Sequence, residues 1–142
     1  MAGQTTGALQ VAVRALARRE LSAAELLERI TRAGISADDA ARAVDDLREA
    51  GYQSDERAAR ERARTLSERG LGNAAIRAEL RRRRLAVDIE PVIAALPPES
   101  ERAQALAERR GAGRRLVATL QRKGYSDETI YAVTGADVAD PG

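Results

Sequence analysis

The sequence predicts an all-α protein made of three tandem three-helix modules in an elongated, curved arrangement. Three observations lead there. Serines recur at the expected starts of helices, at Ser22, Ser36, Ser54, Ser100 and Ser126, where a hydroxyl can accept an otherwise unpaired N–H of the first turn. Gly34, Gly51, Gly124 and Gly135 close the apolar stripes that follow, and glycine suits the left-handed position that ends a helix. The apolar positions of successive helix sets also align at offsets of fifty and then forty residues: Leu26, Ile76 and Leu116; Ile30, Leu80 and Leu120; Ile35, Leu85 and Tyr125.

The elements follow in order. A helix is expected from about Leu9 to Arg19, with Val13 and Leu16 facing inward. Ser22 and Glu25 form a capping box, flanked by Leu21 and Leu26 as a hydrophobic staple, and open the second helix. Ser36, with Asp38 and Asp39 behind it, opens the third. Ser54-Asp55-Glu56 begins a fourth helix to about Arg69, and Ile76 and Leu80 stripe a fifth after the Gly70-Leu71-Gly72-Asn73 turn. Asp88 is expected to cap a short sixth helix with Pro91 in its first turn, ended by Pro97-Pro98. Ser100 starts a seventh, Gly111-Ala112-Gly113 breaks it, and Leu116 and Leu120 stripe an eighth. Ser126 caps a ninth, which Gly135 ends. The modules are therefore residues 9–52, 53–98 and 99–135, followed by a frayed tail at 136–142. Arg84 stands where the other two modules have Gly34 and Gly124, so a different helix end is expected in the middle module. Tyr52 and Tyr125, each just past a glycine, are expected to pack on the preceding helix.

Composition narrows the function. The 142 residues contain no Cys and no His, which removes disulfides, thiolate nucleophiles, imidazole bases and the usual ligands of zinc. The carboxylates lie at helical surface spacing beside Arg, as a solvated helix face would have them. A non-enzyme without metal or cofactor is expected. No apolar run approaches the ~20 residues that span a bilayer, and MAGQTTGALQ lacks the basic-then-apolar order of a secretory signal, so a cytoplasmic protein is expected.

Charge is uneven along the chain. The net charge is only +2, yet Arg69 to Arg84 carries six Arg against Glu79 alone. Four consecutive Arg, Arg81-Arg82-Arg83-Arg84, cover all sides of a helical turn, so at least two should face solvent and be available to phosphate or an acidic surface. A second basic group, Arg109, Arg110, Arg114 and Arg115, straddles Gly111-Ala112-Gly113, and Arg122-Lys123 follows. The candidate partner-binding residues are Arg69, Arg77, Arg81, Arg82, Arg84, Arg114, Arg115, Arg122 and Lys123.

Several stretches resemble the RecX family. Ala15-Leu16-Ala17-Arg18-Arg19-Glu20-Leu21-Ser22-Ala23-Ala24-Glu25-Leu26 is similar to its opening module. Gly51-Tyr52-Gln53-Ser54-Asp55-Glu56-Arg57, Arg69-Gly70-Leu71-Gly72 and Ile76-Arg77-Ala78-Glu79-Leu80 resemble its most characteristic stretch, with Ala58 where an aromatic is usual. Arg114-Arg115-Leu116-Val117 and Arg122-Lys123-Gly124-Tyr125-Ser126 are similar to its closing module. The resemblance implies a cytoplasmic regulator that lodges in the groove of RecA filaments on DNA and inhibits ATP turnover, strand exchange and co-protease function; a monomer is expected. The alternative is a helical nucleic-acid-binding protein acting through its Arg-rich surfaces on DNA phosphates.

Overall fold

A computed structural model describes residues 2–138, with side chains described from Gly7 onward. Among the described residues there are nine helices and no strand: α1 (Ala2–Arg18), α2 (Ala23–Arg32), α3 (Ala37–Glu49), α4 (Asp55–Glu68), α5 (Asn73–Arg82), α6 (Glu90–Ala94), α7 (Glu99–Arg110), α8 (Arg114–Arg122) and α9 (Asp127–Thr134). The expected tail lies outside the described residues from position 139 on.

The serine caps form as their spacing requires. Ser22 Oγ accepts from the Glu25 N–H, and the Glu25 carboxylate accepts from the Ser22 N–H, both at 3.0 Å. Leu21 and Leu26 are buried on either side of this box. Ser36 and Ser126 accept from the N–H groups of Asp39 and Thr129 in the same way, and α9 ends on Gly135 in the left-handed region.

Other boundaries differ from expectation. α1 begins at Ala2 rather than near Leu9. Its inward face is Ala8, Ala12 and Ala15, whereas Val13 is 52% exposed. Small residues let α1 lie close against α3, whose Ala40 and Ala43 are fully buried. The N-cap of α6 is Ile89, and Asp88 instead accepts the Glu90 N–H at 3.1 Å. α7 starts at Glu99 behind Pro98, one residue before Ser100 could cap it.

Arg84 corrects a further expectation. Its φ is +54°, the one positive value outside glycine among the described residues, and its N–H bonds to the Arg81 carbonyl. Gly34 and Gly124 make the equivalent bonds to Thr31 and Gln121. The helix end is thus conserved in form without its glycine, at a cost of ~1 kcal/mol for a side chain in that region.

The chain packs into two compact units. Unit 1 extends to Arg62 and resumes over Arg81–Val87; unit 2 comprises Ala63–Leu80 and resumes from Asp88. The core of unit 1 is Leu21, Leu26, Ile30, Val44 and Leu47 with the alanines of α1 and α3. In unit 2, Leu106, Leu116, Leu120, Tyr125 and Ile130 form a core with Ala103.

Each unit contains the same joint. In unit 1 the carboxylate of Asp55, the first residue of α4, accepts from the Ala23 N–H at 2.8 Å and the Ala86 N–H at 2.7 Å. In unit 2 the carboxylate of Glu99, the first residue of α7, accepts from the Asn73 N–H at 2.7 Å and the Ser126 N–H at 2.9 Å. Gln53 donates to the Leu21 carbonyl, and Arg102 donates to the Leu71 carbonyl. Ser22 Oγ donates to the Arg83 carbonyl, and the Gly72 N–H donates to the Lys123 carbonyl, each at 2.8 Å. The paired positions are again fifty residues apart at 21–23 and forty apart at 83 and 86, the offsets of the apolar alignment.

Candidate partner-binding surface

Within unit 1 the four-Arg run is divided between structure and surface. Arg83 is half-buried and pairs with Glu25 of α2 at 3.0 Å. Arg84 pairs with Glu28, one turn further along α2, at 2.5 Å. Arg81 and Arg82, in the last turn of α5, are exposed. Cations there are favoured by the helix dipole. The Glu28 carboxylate is bracketed, since Arg32 bonds its other oxygen. Its pKa lies below the ordinary glutamate value, first through the hydrogen bond from Arg84 and then through the charges of Arg32 and Arg84.

The other six candidates lie in unit 2. Arg77 forms a two-pronged pair with Glu90 at 2.8 and 2.9 Å. That hydrogen bonding raises its already high pKa, and its charge is committed inside the unit. Arg69 is exposed, and its carbonyl accepts from Lys123 Nζ at 3.3 Å, so the two residues are brought together. Arg122 is exposed, with a 3.3 Å bond to Thr119 Oγ1. Arg114 and Arg115 are exposed in the first turn of α8, which has no acidic residue and no side-chain cap. Cations are disfavoured at that end of a helix, so folding of α8 does not account for them.

The two post-glycine tyrosines behave differently. Tyr125 is 5% exposed and its hydroxyl donates to the Gly70 carbonyl at 2.8 Å. Burial, the largest influence, raises its pKa above the ordinary tyrosine value. Tyr52, also expected to pack, is instead 66% exposed. Its N–H still closes on the Leu47 carbonyl, and Arg57 binds its carbonyl at 2.9 Å, so the backbone is held while the ring stays in water.

Sequence reasoning missed Arg19, Arg29 and Arg32, which line a cleft of about 200 Å³ in unit 1 together with Arg84 and Glu28. It also read Asp55 and Glu99 as solvated surface, whereas both are bridges between segments. The repeat alignment carried a signal for Arg84, which broke the glycine pattern, but none for Arg19, Arg29, Arg32 or Glu99.

No protein-family model matches the chain. The regulatory protein RecX of Acidithiobacillus ferrooxidans is 36% identical over 135 residues, 89% of this chain and 87% of that protein. The chain belongs to the RecX family. RecX of Chromohalobacter salexigens is 45% identical over 69 residues, 49% of this chain and 45% of its own. Among solved structures, RecX from Lactobacillus salivarius superposes with a TM-score of 0.78 at 18% identity, covering 94% of this chain and 96% of that one. This all-helical fold is therefore a RecX fold. The relatives are named as regulatory proteins, and no described helix of this RecX-family chain is long and apolar enough to cross a membrane.

Proposed function

We propose that the chain binds RecA filaments in the cytoplasm as a monomer and inhibits their ATP turnover, strand exchange and co-protease activity. Near-full-length identity to proteins named RecX carries this reading. The binding unit is the array of three modules, residues 9–52, 53–98 and 99–135, each of which can contribute contacts to a repetitive partner such as a filament. Its basic contacts are Arg81 and Arg82, with Arg69, Arg114, Arg115, Arg122 and Lys123 as outer contacts.

The test mixes the protein with RecA, single-stranded DNA and ATP. The parent should suppress ATP turnover. Replacing Arg81 and Arg82 by Ala should preserve the helical signal, since Ala is the better helix former. It should raise the concentration for half-inhibition about tenfold, or ~1.4 kcal/mol. Unchanged inhibition by the folded variant across a salt series would move the contact elsewhere. A second reading, direct nucleic-acid binding, is favoured by one observation: Arg114 and Arg115 at the uncapped start of α8. It predicts binding to DNA without RecA and no suppression beyond competition for the strand.

A further inference from the structure

A cleft in unit 1 is bounded by Arg19 after α1, by Glu25, Glu28, Arg29 and Arg32 on α2, and by Arg84. Its charges are arranged. Both oxygens of Glu28 are engaged, one by Arg84 and one by Arg32, so the carboxylate fixes two guanidinium groups at the rim of the same cleft. Each uses only part of its five-donor fork on Glu28. Arg83 engages Glu25. Among the described residues Arg19 and Arg29 are exposed and have no carboxylate partner, and they leave the cleft with an excess of positive charge. Oriented guanidinium forks with spare donors match the oxygens of a phosphate.

The backbone of Arg84 is a second, independent observation. It holds φ +54° where Gly34 and Gly124 hold φ +91° and +88°. Folding alone would be served better by glycine at this position. The side chain placed there at that cost reaches Glu28 and the cleft, and strained positions of this kind gather at functional sites.

We propose that this cleft is a phosphate-binding site, with Arg19, Arg29, Arg32 and Arg84 as its donors and Glu28 as the residue that positions two of them. It lies on different residues from the Arg81 and Arg82 contact, and it stands without any role for RecA. The phosphate can come from a nucleic-acid strand or from a free nucleotide.

The experiment uses the full chain without RecA and follows the anisotropy of a short labelled oligothymidylate over a salt series, with pyrophosphate as competitor. Arg19→Ala with Arg29→Ala, both at exposed positions, should lower the magnitude of the salt slope by about 1.4, at ~0.7 per phosphate contact on a single strand. Arg84→Gly should weaken binding while the melting temperature stays level or rises, because the strain is relieved. Competition by pyrophosphate in the parent, reduced in the variants, assigns the phosphate group alone. Strand binding that is lost in the variants but resists pyrophosphate assigns a nucleic-acid backbone. The proposal is overturned if both folded variants match the parent in affinity and slope, or if Arg84→Gly lowers the melting temperature without affecting binding.

Discussion

The joint in unit 1 and the joint in unit 2 solve one problem with different atoms. In both, the chain after the middle helix of a set meets the start of an earlier helix and accepts a hydrogen bond from it. Unit 2 does so by backbone contact. A Cβ on Gly72 would lie 2.5 Å from the carbonyl of Gly124 and the nitrogen of Tyr125, and one on Gly124 would lie 2.7 Å from Ala75. Unit 1 places Ser22 and Arg84 at these positions and makes the link through the Ser22 hydroxyl. The difference teaches that a side-chain hydroxyl can make the link that a backbone N–H makes in the other unit, so the first joint does not depend on two glycines.

The sharpest way to break this comparison is Gly72→Ala. The nearest atoms to the new methyl would be backbone, which cannot swing aside, so unit 2 should lose about 3 kcal/mol through overpacking, seen as a lower urea midpoint. A loss below about 1 kcal/mol would mean that the close approach relaxes easily.

The carboxylate bridges come next. Glu99→Gln should cost about 2 kcal/mol, because a charged acceptor serving several donors is weakened. Burial opposes ionisation of Glu99, but the N–H groups of Ser126 and Asn73 and the hydroxyl of Thr129 outweigh it and hold its pKa below the ordinary value. A depressed carboxylate pKa stabilises the fold fully above the ordinary glutamate range, and that stability is lost as pH falls through the lowered folded value. Acid titration of stability should therefore be flatter in Glu99→Gln than in the parent.

The smallest effect is expected at Ser22→Ala, about 1 kcal/mol from the lost cap and the bond to Arg83. A loss near that of Gly72→Ala would show that the hydroxyl link matters as much as the backbone contact, and the distinction between the joints would fail.

Most of the fold was legible because its signals are local. Ser22, Ser36 and Ser126 each cap an N–H three residues on, and the buried pairs Leu26 and Ile30, Ile76 and Leu80, and Leu116 and Leu120 lie four residues apart, at helical spacing. What escaped depends on residues far apart in sequence. Asp55 meets Ala86 across 31 positions and Glu99 meets Asn73 across 26, and no periodicity announces such pairs. The candidate surface was legible to the same extent. Exposure of Arg81 and Arg82 follows from four consecutive cations on one turn, but the pairing of Arg77 with Glu90 and of Arg84 with Glu28 requires the tertiary fold. Tyr52 and Tyr125 share a local pattern, and only the neighbouring segment at Gly70 separates their fates.

That last difference gives the molecule an internal optical label on one side. The chain has three tyrosines and no tryptophan or phenylalanine, and Tyr52 and Tyr131 already stand in water. Tyr125, sealed in unit 2, is the chromophore whose absorbance and access to a quencher change when its surroundings open. Opening of unit 1 alone leaves that signal still and appears only in helical dichroism, so two ordinary spectroscopic channels separate the fates of the two units without any added dye.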